Sequence, residues 1–288
     1  MGINLSNVSF SYYHPRKKQT PKFVLKNINL NIKPNDEFIT IVGHTGSGKT
    51  TLVQLFNALL TTNYGELKVF NKIINDNKNT KLNGVRKKVG SVFQFPEYQL
   101  FEETVFEDVS FGPKNFGLDE INYNVERALN LVGISKELYE ESPFNLSGGQ
   151  MRRVAIAGIL ASNPDIIILD EPTVGLDPQG KKELLKLLKK LNEEEHKTII
   201  LITHDMDVVS EVSKRVILLD QGEIIYDGNK LGLFQNEELI KNHSIDYPST
   251  IKMLKTIKNK LNVNINCFQF TIDEAYNELR RVFDNNER

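Results

Sequence analysis

The stretch from Asp36 to Leu60, DEFITIVGHTGSGKTTLVQLFNALL, constrains the fold more than any other part of this chain. Its opening run, DEFITIVG, is apolar and β-branched, which favours a strand. Its closing run, KTTLVQLFNALL, reads as a helix, and the glycine-rich GHTGSGKTT joins the two. Strand, glycine loop and helix in this order give weight to the pattern G-x-x-x-x-G-K-[ST]. The loop then brings backbone N–H groups and a helix N-terminus to one point, where a phosphate can be received. Gly43, Gly46 and Gly48 let the backbone turn inward without Cβ clashes. The candidate cradle is Gly43, His44, Thr45, Gly46, Ser47, Gly48, Lys49, Thr50 and Thr51. Within it Lys49 supplies a mobile positive charge for the β- and γ-phosphates, and Thr50 a hydroxyl for Mg2+.

The rest of the chain continues an α/β pattern. INLSNVSFSYY and FVLKNINLNI alternate apolar and polar residues and read as two antiparallel strands joined by the turn-rich HPRKKQTPK. YGELKVFNKII reads as a further hairpin, and KKVGSVFQ as a strand ending at Gln94. From about Phe95 to Glu141 the pattern holds no strand, and VERALNLVGI sets Val125, Leu129 and Val132 on one helix face. An inserted helical subdomain is therefore expected over about 95–160. A helix beginning after Gly149, the strand DIIILDEP, the helix KKELLKLLKKLNEEEHK and the strand TIILITH then restore the alternation. This implies a mixed, mostly parallel core sheet beside an antiparallel β-subdomain.

RVILLDQGEIIYDG reads as a last hairpin turning at Gln221-Gly222. The tail, 231–288, carries amphipathic stripes in YPSTIKMLKTIKNKL and TIDEAYNELRRVF, the second opened by a capping box of Thr271 and Glu274. It forms a C-terminal helical extension to a main domain of residues 1–230. NDNKNTKLN reads as an exposed loop.

Several side chains gather on the expected ligand edge of the sheet. DIIILDEP ends in Asp170 and Glu171 where open α/β sheets bind ligands. Asp170 would hold the Mg2+ shell, and Glu171 would polarise an attacking water. Gln94 and His204 end two further strands. The first is a neutral side chain able to touch both metal and water, and the second can donate to a γ-phosphate. Tyr12 and Tyr13 both lie where a ring could stack on adenine, and alternation alone does not choose between them. A second anion-receiving turn stands far downstream in NLSGGQMRRVAIAG, where Ser147, flanked by glycine, opens a helix. Taken alone, that pentapeptide also fits a flexible Ser-Gly linker.

Together these residues resemble the ATP-binding cassette ATPases, P-loop NTPases by fold. Gly43 to Thr50 resembles the Walker A loop, Gln94 the Q-loop and Leu146 to Gln150 the LSGGQ signature. Ile166 to Glu171 resembles the Walker B strand, Asp177 in VGLD the D-loop, and His204 the switch histidine. The resemblance covers about residues 3–230 and implies ATP and Mg2+ as ligands, with Thr50, Gln94 and Asp170 toward the metal. It also implies Glu171, His204, Gln94 and Lys49 in catalysis, and it favours Tyr12 at the adenine. Two such cassettes pack head to tail, so that Ser147, Gly148, Gly149 and Gln150 of one chain, with Asp177, meet the nucleotide held on the other. The two phosphate-receiving turns then serve two different nucleotides.

VFQFPEYQLFEETVFEDVSFGPKNFG, LSGGQMRRVAIAG and DEPTVGLDPQG resemble more narrowly the second of two ATPase types in energy-coupling-factor importers of vitamins and metals. That resemblance implies a second, related cassette ATPase as partner, a transmembrane coupling protein and a small substrate-binding membrane protein. It also places the extension in ATPase pairing and Phe95 to Phe111 against the coupling helices, although a solvated acidic loop is an equal reading of that segment. A cassette of a conventional binding-protein-dependent importer is the nearest alternative. A soluble cassette ATPase of DNA repair or translation usually shows a long coiled-coil insertion or two cassettes in one chain, and neither is visible. A metabolic P-loop kinase would explain Gly43 to Thr50 but not Leu146 to Gln150 or His204.

Charge and cysteine content narrow the setting. Lys and Arg number 36 against 37 Asp and Glu, so no global field gathers nucleic acid or an anionic membrane, and no nucleic-acid partner is expected. Cys267 is alone and cannot form an internal disulfide, which suits a reducing cytoplasm. MGINLSNVSFSYYHPRKK has no apolar run after a basic start, so no cleaved signal is expected, and no stretch approaches the roughly 20 apolar residues of a membrane span. The expected location is peripheral, on the cytoplasmic face of the cell membrane.

Overall fold

The computed structural model describes residues 2–13, 21–34, 36–75 and 82–284. The connection HPRKKQTPK and the loop NDNKNTKLN lie for the most part outside the described residues. The strands are β1 (Ile3–Phe10), β2 (Leu25–Ile32), β3 (Phe38–Val42), β4 (Tyr64–Val69), β5 (Lys72–Ile74), β6 (Val89–Val92), β7 (Ile166–Asp170), β8 (Thr198–Ile202), β9 (Arg215–Asp220) and β10 (Glu223–Gly228). They form an antiparallel sheet ordered β2-β1-β4-β5 and a second sheet ordered β10-β9-β3-β8-β7-β6. In the second, all pairs are parallel except β9 with β10.

The helices are α1 (Lys49–Phe56), α2 (Asn83–Lys88), α3 (Val105–Asn115), α4 (Ile121–Leu131), α5 (Gly148–Leu160), α6 (Pro178–Glu193), α7 (Met206–Val212), α8 (Lys230–Gln235), α9 (Glu237–Asn242), α10 (Ser249–Leu261) and α11 (Ile272–Asp284). The fold class is thus the expected one, with α3 to α5 inserted between β6 and β7 and a helical extension after β10.

Strand sequence decides which layer covers which face. β3, β7 and β8 are nearly continuous aliphatic runs, as strands buried on both faces must be. Along β7, Ile166 and Ile168 face a core shared with α1 and the antiparallel sheet, whereas Ile167 and Leu169 face the helices α3 to α7. In β8 the same alternation sends Ile200 and Ile202 one way and Ile199 and Leu201 the other. Val216 and Leu218 of β9, with Val42, Met206 and Val209, pack against Leu233, Phe234, Ile240 and Ile251, so the extension is rooted in the sheet's own apolar surface.

The antiparallel strands correct one detail of the pattern. Ile3 and Leu5 point inward at odd positions but Val8 and Phe10 at even ones, because the β1 register slips between Leu5 and Val8 around Asn7, at φ 50°. Gly65 of β4 allows that bulge, since a Cβ there would lie 2.3 Å from the Asn7 carbonyl oxygen. Val125 and Leu129 are buried along one face of α4, and Val132, its C-cap, is buried beside them. The hairpin of β9 and β10 turns at Gln221 and Gly222, both at positive φ, and the Thr271–Glu274 capping box closes in both directions.

Candidate nucleotide site

The glycine loop leaves β3 at Val42 and enters α1 at Lys49. Its shape depends on glycine at two points. A Cβ on Gly43 would lie 2.0 Å from the Leu219 carbonyl oxygen, and Gly48, at φ 107°, is pressed by Leu25 and Val24. Gly48 also caps α1 without any side-chain hydrogen bond, so the first N–H groups of that helix are left for a ligand. The β9–β10 turn braces the loop from below through Gly222 N–H to the Ser47 carbonyl oxygen at 3.0 Å.

Above the loop lies a cleft of about 480 Å3 whose walls include Lys49, Thr50, Gln94, Asp170, Glu171 and His204. The Lys49 ammonium donates to the carbonyl oxygens of Gly43 at 2.7 Å and His44 at 2.8 Å. Burial pushes its pKa below the ordinary value, against the opposing pull of Glu171 and Asp170. Thr50 donates its hydroxyl to Asp170 Oδ2 at 3.0 Å, although 120 positions separate the two in sequence. Burial raises the Asp170 carboxyl above its usual range, offset in part by Thr50 and Lys49.

Glu171 sits just past the end of β7 in the left-handed region, at φ 48°, while its N–H still bonds the Ile202 carbonyl oxygen at 3.0 Å. That turn aims the carboxylate sideways into the cleft. Glu171 Oε1 is 2.8 Å from His204 Nδ1, whereas Oε2 is buried and has no hydrogen-bond partner among the described residues. The donor set fits Mg2+: a hydroxyl, a carboxylate and a nearby amide oxygen are hard ligands, and the ion commonly takes one or two carboxylates with substrate phosphates. Among the described residues no cluster of three or more His, Cys, Asp or Glu could cage a metal by itself, so the phosphates would have to complete the shell.

Two expected strand ends need correction. β6 stops at Val92 and β8 at Ile202, so Gln94 and His204 lie two residues beyond the sheet. Phe95, at φ 55°, turns the chain away after Gln94, and the Thr203 hydroxyl accepts from Asp205 N–H as the chain bends into α7. The structure also separates the tyrosines. The Tyr12 hydroxyl is 3.0 Å from Thr51 Oγ1, and its ring packs edge-on against Phe10, which fixes it beside the loop. Tyr13 is 78% exposed.

Ser147, Gly148, Gly149, Gln150 and Asp177 are not in this cleft. α5 begins at Gly148, two residues before the start expected after Gly149, because Ser147 and Gln150 form a capping box: Ser147 Oγ accepts from Gln150 N–H, and Gln150 Oε1 accepts from Ser147 N–H. Ser147, Gly148 and Gly149 are exposed, and added Cβ atoms on the glycines would meet nothing within 4 Å. Asp177 caps α6 by accepting from Gly180 N–H at 2.8 Å.

One residue that sequence reasoning passed over lies between these regions. Arg152 is only 6% exposed and stands on the same stripe of α5 as Ile156 and Leu160. Its guanidinium binds Glu97 in a bidentate pair at 2.8 and 3.0 Å and donates to the carbonyl oxygens of Pro172 and Val174. Burial disfavours the Glu97 carboxylate, but the Arg152 hydrogen bonds outweigh that and hold its pKa below the ordinary value. The four-residue spacing from Arg152 to Ile156 was the available signal. Its consequence is that Glu97 is turned inward, unlike the exposed Glu103 near it.

The profile described as ABC transporter matches residues 25–174. An energy-coupling factor transporter ATP-binding protein EcfA2 of Clostridium tetani is 43% identical over 290 residues, covering 99% of this chain and 98% of that protein. The Bacillus subtilis protein of the same name is 43% identical over 265 residues, covering 91% and 96%. Among solved structures, cbiO1 of Clostridium perfringens, part of the ABC transporter complex cbiONQ, aligns with TM-score 0.73 at 37% identity, over 90% of this chain and 98% of that one. An ATP-binding cassette solved as a post-hydrolysis dimer with ADP and Pi aligns with TM-score 0.68 at 34% identity, over 79% and 98%. The chain belongs to the ABC transporter family, in its branch of energy-coupling factor transporter ATP-binding proteins.

Proposed function

We propose that the cleft over the glycine loop binds ATP with Mg2+ and hydrolyses it, and that the exposed signature turn acts on a nucleotide held by a second cassette. Family membership makes the chain an ATP-binding subunit whose ATPase activity is coupled to transport. The observation that carries the site reading is the convergence of Thr50 with Asp170 and of Glu171 with His204 across one cleft.

On this reading the N–H groups of Gly46 to Thr50 and the Lys49 ammonium hold the β- and γ-phosphates, with His44, Thr45, Ser47 and Thr51 completing the cradle. Lys49 exchanges its carbonyl partners for phosphate oxygens, so the loop is already shaped when the nucleotide arrives. Thr50, Asp170 and Gln94 would hold Mg2+, whose chemistry there is neutralisation of phosphate charge. Glu171, whose carboxylate lines the cleft beside His204, polarises the attacking water. Nδ1 of His204 faces Glu171, which leaves Nε2 to meet the γ-phosphate. Tyr12 supplies the adenine face.

Ser147, Gly149 and Asp177 lie outside the cleft of their own chain, which suits action in trans. ATP contacted from both sides favours the closed pair, and hydrolysis removes that difference in affinity and lets it open. The partners are a second cassette ATPase and membrane components. More finely, these are a related but distinct ATPase, a transmembrane coupling protein and a small substrate-binding protein that selects a vitamin or metal ion. No helix of the described residues is long and apolar enough to cross a membrane. The chain would therefore work peripherally, at the cytoplasmic face.

The coupling helices would enter near Phe95 to Phe111, beside a cavity of about 490 Å3 whose walls include Leu59, Arg86, Phe93, Phe111, Phe116 and Ile159. Residues 1–230 would form the cassette and 231–288 the extension that strengthens pairing. A mild-detergent pull-down of tagged Glu171→Gln protein with ATP tests the assignment. It should recover a second cassette, a multi-spanning protein and a small membrane protein. Recovery of self-copies with a conventional permease would reject it.

A further inference from the structure

We propose that Arg152 is a positioning residue that holds the catalytic loop after β7 in register with the signature helix and with the segment that follows Gln94. The inference rests on the role given above to Glu171. Three parts of the molecule meet at this guanidinium. It grows from α5, roughly one and a half turns after the N-cap Ser147, the point where a partner's nucleotide would sit. It grips both oxygens of Glu97, in the short turn Pro96–Gln99 that follows Gln94 and Phe95. Its Nη1 donates to Pro172 at 3.1 Å and Val174 at 2.8 Å, in the turn whose first residue is Glu171 and which is closed by Val174 N–H to the Glu171 carbonyl oxygen.

A buried charge of this kind is weak evidence for stability, because its desolvation offsets its attraction. Its value lies in geometry. Arg presents five donors in a fixed fork, and four acceptors from two separate segments engage that fork here. A rotation of α5 that moves the signature turn therefore displaces Glu97 and the Pro172–Val174 backbone together. None of its hydrogen bonds reaches the glycine loop. Loss of Arg152 should thus disturb water activation by Glu171 and leave the cis phosphate contacts of Lys49 and Thr50 in place.

The test is steady-state ATPase of the assembled transporter, well below its melting temperature. Arg152→Lys keeps the charge and most of the volume but cannot span four acceptors. It should lower kcat at least about tenfold with KM for ATP within about twofold. Glu97→Gln should lower kcat less, and the double variant should be no slower than Arg152→Lys alone, because the two act as one unit. Glu171→Gln runs beside them as the reference. If Glu171→Gln is slow while Arg152→Lys keeps kcat, or if Arg152→Lys raises KM instead, the inference fails although the active-site reading stands. If Glu171→Gln itself retains turnover, the reading beneath it fails.

Discussion

The glycine loop and the signature turn are both helix N-termini in one chain, yet they are finished in opposite ways. α1 begins after Gly48 with no side-chain cap, and the polar groups around it are already committed to one another: Lys49 to loop carbonyls, Thr50 to Asp170, Glu171 to His204. α5 begins with exposed glycines and a closed capping box in which Ser147 and Gln150 satisfy one another. The first is a preassembled pocket whose helix donors await an anion. The second is a stable, exposed knob that gains a role only when another surface meets it. An anion-binding geometry therefore does not by itself place a ligand; what surrounds it decides whether the ligand is held by one chain or shared.

The sharpest break of this contrast comes from the pocket. Glu171→Gln should slow turnover by at least about 100-fold while nucleotide affinity is kept, since it removes water activation and no phosphate contact. Lys49→Ala should instead weaken ATP binding to the isolated chain, read by isothermal titration; unchanged affinity would remove Lys49 from the phosphate site. Tyr12→Ala should cost roughly three- to tenfold in ATP affinity, from lost stacking of about 1 kcal/mol, while Tyr13→Ala should cost nothing measurable. Equal losses would mean that the Thr51 contact does not mark the adenine side.

The smallest effect lies in neither turn. In the tail, Glu278 bonds Arg281, first, and the Asn266 N–H, which together lower its carboxyl from 4.5 to about 2 in spite of burial. A depressed carboxylate stabilises the fold fully above its unfolded value and loses that contribution as pH falls through its folded value. The melting-temperature gap between the parent and Glu278→Gln should be constant above pH 4.5 and close toward pH 2. A gap that widens on acidification would contradict the assignment.

What was legible in the sequence follows from how local its physics is. Strand, loop and helix around Gly43 to Thr51, the carboxylates ending β7, the hairpin at Gln221-Gly222 and the Thr271–Glu274 box are all set by neighbours within a few residues. The Ser147–Gln150 box was equally local, and reading its S-x-x-Q spacing would have placed the start of α5 correctly. The slip at Asn7 was present as a change of apolar parity from Leu5 to Val8. The choice of Tyr12, the inward turn of Glu97 and the four bonds of Arg152 depend on contacts tens of residues apart, which no local pattern encodes.

The central claim is that the two turns of one chain serve two different nucleotides, and Gly149→Asp tests it most directly. A Cβ added at Gly149 would meet nothing within 4 Å in its own chain, so the substitution acts on the exposed knob and not on the cleft over the glycine loop. ATP affinity of the isolated chain should stay within about twofold, while ATP-driven association with the partner cassette, followed by sedimentation in the Glu171→Gln background, should be lost. A fall in single-chain affinity as large as that of Lys49→Ala, or association that survives intact, would contradict the account.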